Sequence, residues 1–136
     1  MRYVDSENQS LFKISSTFDL KFRINTSDER TKENIQNYTK GLNDIVQLQP
    51  RVFDYNGKGS TEKSKENIGL IAQEVIDVYP EAIGTFKAKL DETDAKETDI
   101  YNLDFHSISI SMINAIKELN EKVKILETKI QTLENQ

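Results

Sequence analysis

The sequence predicts an α+β protein: a small mixed body of short helices and strands, followed by one long C-terminal helix suited to parallel self-association. Three observations carry that reading. Apolar and polar residues alternate early in the chain, short apolar clusters are broken by Pro50 and Pro80 in its middle, and heptads fill its end.

The early segment holds two strand signals. Phe18, Leu20, Phe22 and Ile24 alternate with Asp19, Lys21, Arg23 and Asn25, the period of a strand buried on one face. A shorter run, Leu11 to Ile14, precedes it. Two strands cannot cover themselves, so this segment is expected to end something larger.

From Ser27 to Tyr55, Thr39 is expected to cap a short helix with Leu42, Ile45, Val46 and Leu48 on its apolar face. Pro50 stops it, and Val52, Phe53 and Tyr55 read as a strand. The stretch from Asn56 to Asn67 is polar and rich in Gly, Ser and Lys. It lacks the G-x-x-x-x-G-K-[ST] spacing of a phosphate loop, so a solvated loop is expected. Ile71, Val75 and Val78 have helical spacing up to Pro80. Glu81 to Tyr101, apolar at first and then charged from Lys87 to Asp99, reads as an exposed hairpin or arm.

The final zone, from about Asp104, has neither Gly nor Pro. Met112, Leu119, Leu126 and Leu133 occupy one seam position, and Ile116, Val123 and Ile130 the other. The alternating steps of four and three are those of a coiled coil. With Leu at d, Lys122 with Glu127 and Lys129 with Glu134 make the g-to-e pairs of parallel, in-register neighbours. Ile or Val at a with Leu at d tends, in isolated coiled coils, toward two strands.

Composition narrows the function. Of 136 residues, 36% are hydrophobic and 30% charged, which implies a modest core that subunit association would supplement. The net charge of −5, with both signs interleaved, argues against a nucleic-acid binder. The absence of cysteine excludes disulfides and thiolate metal sites, and the single His106, expected to cap or flank the long helix, excludes any site needing two histidines from one chain. Acidic residues between Asp91 and Asp99 lack calcium-loop spacing. No cofactor and no metal are expected. No apolar run approaches the ~20 residues of a membrane span, and no signal peptide opens the chain; a soluble protein, or a piece of one, is expected.

One constellation carries chemistry. In Thr26-Ser27-Asp28-Glu29-Arg30-Thr31-Lys32, a hydroxyl and an amine stand five residues apart. Lysine activates serine only when neutral, which requires burial or nearby positive charge such as Arg30. An ideal helix or strand does not bring residues at that spacing together; a turn or a neighbouring subunit must. By spacing alone the ordinary reading is the stronger: Ser27 or Asp28 caps a turn, and Glu29, Arg30 and Lys32 are solvated.

The motif S-D-x-R-x-K with a following Asn-Ile pair (Ser27, Asp28, Arg30, Lys32, Asn34, Ile35) resembles the start of the endosialidase-type intramolecular chaperone domain. Relatives end many phage tailspikes and tail fibres, and one occurs in the myelin regulatory factor of animals. Leu48-x-Pro50-x-x-Phe53-x-Tyr55 is similar to the family's L-x-P-x-x-F-x-[WY]. Gly69-Leu70-Ile71-Ala72-Gln73-Glu74-Val75 is similar to G-[FL]-I-A-Q-E-V, and Ala115-Ile116-Lys117-Glu118-Leu119 to the terminal A-I-[KQ]-E-L. Thr31 departs from the pattern, where relatives often carry Leu.

The resemblance implies a parallel homotrimer, overriding the seam's two-stranded tendency. It implies that residues 1–26 end a client fibre, 27–103 form the chaperone body and 104–136 the coiled coil. Ser27 then stands as nucleophile and Lys32 as general base of a single-turnover serine peptidase cutting Thr26–Ser27 in cis. Asp28, Arg30, Gln73 and Glu74 stand as supporting residues, Gln73 and Glu74 fitting structural hydrogen bonding equally well. The implied partners are two further copies and the upstream fibre, with no nucleic acid and no membrane. The chaperone would act in the host cytoplasm during virion assembly and be absent from the mature virion. The alternative is a trimerisation and capping domain of a fibre that does not cleave.

Overall fold

The computed structural model describes residues 25–136, and a boundary after Asn37 divides them into two units, 25–37 and 38–136. The strands expected before Asn25 lie outside the described residues. The first unit contains a 3₁₀ turn, Glu29–Thr31, flanked by extended backbone at Asp28 and Lys32, and it buries no residue of that turn.

The second unit is a small α+β body with short strands and a long C-terminal helix. In chain order it contains α1 (Leu42–Ile45), β1 (Arg51–Tyr55), β2 (Ser64–Gly69), α2 (Ala72–Val75), a 3₁₀ turn (Pro80–Ala82), β3 (Ile83–Ala88), β4 (Thr98–Leu103) and α3 (His106–Glu134). The strands form two separate antiparallel pairs, β1 with β2 and β3 with β4. Val52 faces Ile68 in the first, and Ile83 to Ala88 run opposite Leu103 to Thr98 in the second.

Several local expectations are corrected. Thr39 does not cap α1: Gly41 is the N-cap, and the Asp44 carboxylate accepts its N–H at 2.9 Å. Val46 is 68% exposed rather than on the apolar face. The polar stretch from Asn56 to Asn67 is not all loop, because Ser64–Asn67 begin β2. A polar run pairs this way because ladder bonds need backbone, not apolar side chains, and the Asp54 carboxylate holds the irregular step by accepting the Glu66 N–H at 2.9 Å.

The hairpin expected between Glu81 and Tyr101 forms as β3–β4, but it is not exposed throughout: Ala82 lies in the core, Ile83 packs against it and Ala88 is buried. The preceding loop rests on it: Gly59 donates its N–H to Leu90 O at 2.9 Å, and Lys58 pairs with Asp91. Gly59 has φ +60, and a Cβ there would lie 3.3 Å from the Ile100 side chain, so glycine meets both demands of that approach. The two charged segments are therefore one joined surface rather than independent arms.

The core is small, as the composition requires. Val75, Tyr79, Ala82 and Ile108 are fully buried, with Ile45, Leu48, Leu70, Val78, Ile83 and Leu103 packed around them. Tyr79 reaches Ser111 Oγ at 2.7 Å, while Ser111 Oγ donates to Ile108 O at 2.7 Å. With that hydroxyl proton committed, Tyr79 is the donor, and its buried polar end is satisfied. Truncating Ile108 to alanine is expected to cost about 2–5 kcal/mol, because so small a core has little material to collapse into the void. The drop would be read as a lower denaturation midpoint in urea.

The start of the second unit is tied down by charge. Glu81 accepts from Tyr38 Oη at 2.6 Å and pairs with Lys40 at 3.1 Å. Burial pushes the Glu81 carboxyl up, but the Tyr38 bond, a backbone N–H and Lys40 together outweigh it and hold the carboxyl below its ordinary value. A depressed carboxylate stabilises the fold above its unfolded pKa of ~4.3 and loses that contribution as pH falls through the folded value. Stability is therefore expected to fall on acidification below ~pH 4, and Glu81→Gln to flatten that limb in urea titrations across the range.

Candidate functional site

The Ser27 to Lys32 segment is built from its own backbone. The Asp28 carboxylate caps the 3₁₀ turn by accepting the Arg30 N–H at 2.9 Å. Asp28 O accepts the Thr31 N–H at 3.0 Å and the Thr31 hydroxyl at 2.7 Å, and Glu29 O accepts the Lys32 N–H at 3.1 Å. This tight turn shortens the path between the ends of the hexapeptide. It carries the Lys32 side chain back across it, and Lys32 Nζ donates to Ser27 Oγ at 2.7 Å. The turn demanded by five-residue spacing is thus supplied within one chain.

Arg30 forks onto Asp28, with Nε 3.1 Å from Oδ1 and Nη2 2.8 Å from Oδ2. The Arg30 side chain, followed by its backbone N–H, holds the Asp28 carboxyl below its ordinary value, and Asp28 raises the guanidinium in turn. Arg30 is therefore paired rather than a lone cation beside Lys32. Asp28 stays an anion with no proton to offer a developing oxyanion, so its work here is to cap and to orient. Asn34 follows at φ +52, a left-handed position that asparagine tolerates better than most residues. That conformation, missed by sequence reasoning, was signalled by the Asn itself. Ser27, Asp28, Arg30 and Lys32 are all exposed in the single chain.

Gln73 and Glu74 belong to α2 in the second unit, and both are exposed. Glu74 receives a bidentate bond from Arg51 at 2.7 and 3.1 Å, which joins α2 to β1 and lowers the Glu74 carboxyl. His106 is the first residue of α3, and its N–H goes to Asp104 Oδ1 at 2.9 Å. The N-cap position is Phe105, whose side chain makes no capping bond, so His106 opens the helix rather than capping or flanking it.

The long helix carries two faces. Ile108, Ser111 and Ala115 are buried against the body. The seam residues Met112, Ile116, Leu119, Val123, Leu126, Ile130 and Leu133 lie on another face and are 39–66% exposed. Near its N-terminal end this strip opens onto an apolar hollow of about 270 Å³, bounded among others by Pro50, Ile68, Leu70, Phe105 and Met112. Phe105 stands one heptad before Met112, so hollow and seam form one apolar track.

Among the described residues no three His, Asp or Glu side chains are grouped as a metal site needs, and no helix is long and apolar enough to cross a membrane.

Residues 27–84 match the peptidase family described as chaperone of endosialidase. The chain is also similar to a probable tail fiber protein of Escherichia phage Phieco32, 31% identical over 106 residues. That alignment covers 76% of the chain and 13% of the phage protein, so the chain matches only a small part of its relative's length.

Proposed function

From the match of residues 27–84 to the chaperone of endosialidase family, we propose that this chain carries the C-terminal chaperone of a phage tail fibre or tailspike. It assembles three copies and then releases itself by cutting Thr26–Ser27. Residues 1–26 end the client, 27–103 form the chaperone body and 104–136 the coiled coil. The observation that carries the reading is that the family match begins at Ser27, the residue whose Oγ lies 2.7 Å from Lys32 Nζ.

Assembly comes first. Intertwined fibre strands pair non-locally and form slowly. A parallel coiled coil holds three chains in register and raises the effective concentration of the segments before it. The exposed seam and the g-to-e pairs support this, since each seam side chain buried on association contributes roughly 1.5–3 kcal/mol.

Chemistry follows. Lys32 Nζ and Ser27 Oγ stand 2.7 Å apart, and lysine can take the hydroxyl proton only in its neutral form. Covering this exposed turn by the assembled fibre would remove water, favour the neutral amine and reverse the hydrogen bond. Ser27 Oγ then attacks the Thr26 carbonyl while Lys32 Nζ takes its proton. The Thr26–Ser27 C–N bond breaks as that proton passes to the Ser27 nitrogen, leaving the Thr26 acyl group as an ester on Oγ. Water hydrolyses the ester, giving a Thr26 carboxylate and restoring the Ser27 hydroxyl. No cofactor is needed.

These events belong to the host cytoplasm during virion assembly, and the fibre left behind is kinetically trapped without the element that assembled it. The test is the mass of the folded product. Two pieces dividing between Thr26 and Ser27, the larger beginning with a free Ser27 amine, support the reading. A chain that stays whole removes the peptidase and leaves a trimerisation and capping domain.

A further inference from the structure

The segment Tyr38–Leu42 is neither strand nor, until its last residue, helix, yet it draws distant side chains from two directions. From α3, Asn114 Nδ2 donates to Tyr38 O at 2.7 Å and to Lys40 O at 2.8 Å. One turn later, Glu118 accepts the Leu42 N–H at 2.5 Å. From the turn before β3, Glu81 holds Tyr38 and Lys40, while Lys40 Nζ also donates to Val78 O and sits 4.8 Å above the Tyr79 ring. Gly41 is buried under this clasp. A Cβ there would lie 2.5 Å from Glu118 Oε2 and 3.1 Å from Asn114 Cβ, so only glycine lets the chain come so close.

The clasp occupies a definite side of the helix. With Met112 at d, Asn114 falls at f and Glu118 at c, while Ile116 and Leu119 continue the seam. The same helix therefore holds this strap on one side and leaves the seam free on the other, so association does not compete with the clasp. The strap follows Lys32 by only six residues in the chain. Few residues separate the point fixed to α3 from the turn that carries Ser27 and Lys32.

We propose that Asn114 and Glu118 are positioning residues for the cleavage: they fix the strap to the long helix, so that ordering of the helix on association restrains the Ser27–Lys32 turn. The inference rests on the self-cleavage reading above. Neither residue touches the reacting atoms. Their effect passes through the backbone carbonyls of Tyr38 and Lys40 and the N–H of Leu42, and small misplacements at a reacting centre cost rate steeply.

The experiment uses the full chain made by cell-free translation, with cleavage followed in time on denaturing gels and assembly by sedimentation. Asn114→Asp, which is isosteric but turns a carboxylate oxygen toward two carbonyls, and Glu118→Ala are each expected to slow cleavage about tenfold or more with assembly retained. Glu118→Gln keeps an oxygen acceptor for the Leu42 N–H and is expected to restore most of the rate. Variants that assemble and cleave as fast as the parent overturn the proposal, as does a loss of cleavage that only follows a loss of assembly. A second arm stands apart from the chemistry. In the uncut Ser27→Ala chain, Glu118→Ala is expected to speed amide hydrogen exchange over residues 28–38, and unchanged exchange there also overturns it. If the parent itself never cuts, the dyad reading fails while the exchange arm still decides the clasp.

Discussion

Replacing Ser27 with alanine is expected to leave the 136-residue chain whole while it assembles normally. The hydroxyl is the proposed nucleophile toward the Thr26 carbonyl, and removing a member of such a unit typically costs more than about a thousandfold in rate. Lys32→Ala is expected to do the same by removing the base. Lys32→Arg is the sharper case: a guanidinium reaches a similar distance and still donates to Ser27 Oγ, but it does not give up its proton in proteins. A chain carrying arginine that cut at the parental rate would show that the residue only orients Ser27. Assembly is expected to survive all three changes, because none touches the seam. Intact mass after a fixed folding time and sedimentation of the same sample read both outcomes.

The second large effect lies at the other end of the chain. Leu126→Asp is expected to abolish association at micromolar concentration. It replaces a d-position side chain that gains roughly 1.5–3 kcal/mol on burial with a carboxylate, and symmetry would bury one from each copy without a partner. The monomer should keep its body, since Leu126 is exposed and the buried residues of α3 are Ile108, Ser111 and Ala115. Thermal or urea unfolding of the body against sedimentation separates the two. On the proposed mechanism, cleavage disappears with association.

Much of this was legible in the sequence, for physical reasons that also set the limits. The heptads from Met112 to Leu133 specify a helix through their own spacing, and the helix is there. The Pro50 and Pro80 breaks were legible because proline removes a backbone donor wherever it stands. The Ser27–Lys32 meeting was only half legible. The residue types were visible, but the 3₁₀ turn that joins them depends on Asp28 reaching the Arg30 N–H, and a solvated turn would have had the same letters. The cap of α1 went to Gly41 rather than Thr39, with Asp44 three residues on accepting the Gly41 N–H, a local signal, and Glu118 from far along the chain accepting the Leu42 N–H, which local propensity does not record. The start of β2 was hidden in Ser64–Asn67 for a similar reason, since pairing with β1 is a backbone matter that polar side chains do not advertise. Asn114 carried no signal of its own, and Glu118 stood in the A-I-[KQ]-E-L motif without any sign of its partner at Leu42.

On the proposed mechanism assembly, not the isolated chain, brings Ser27 and Lys32 into working condition. The most direct measurement is the rate of Thr26–Ser27 cleavage against chain concentration, following refolding from denaturant. The rate is expected to rise steeply with concentration in the dilute range and to level off once every chain is assembled. A rate that stays constant down to concentrations where sedimentation finds only monomer would contradict that mechanism.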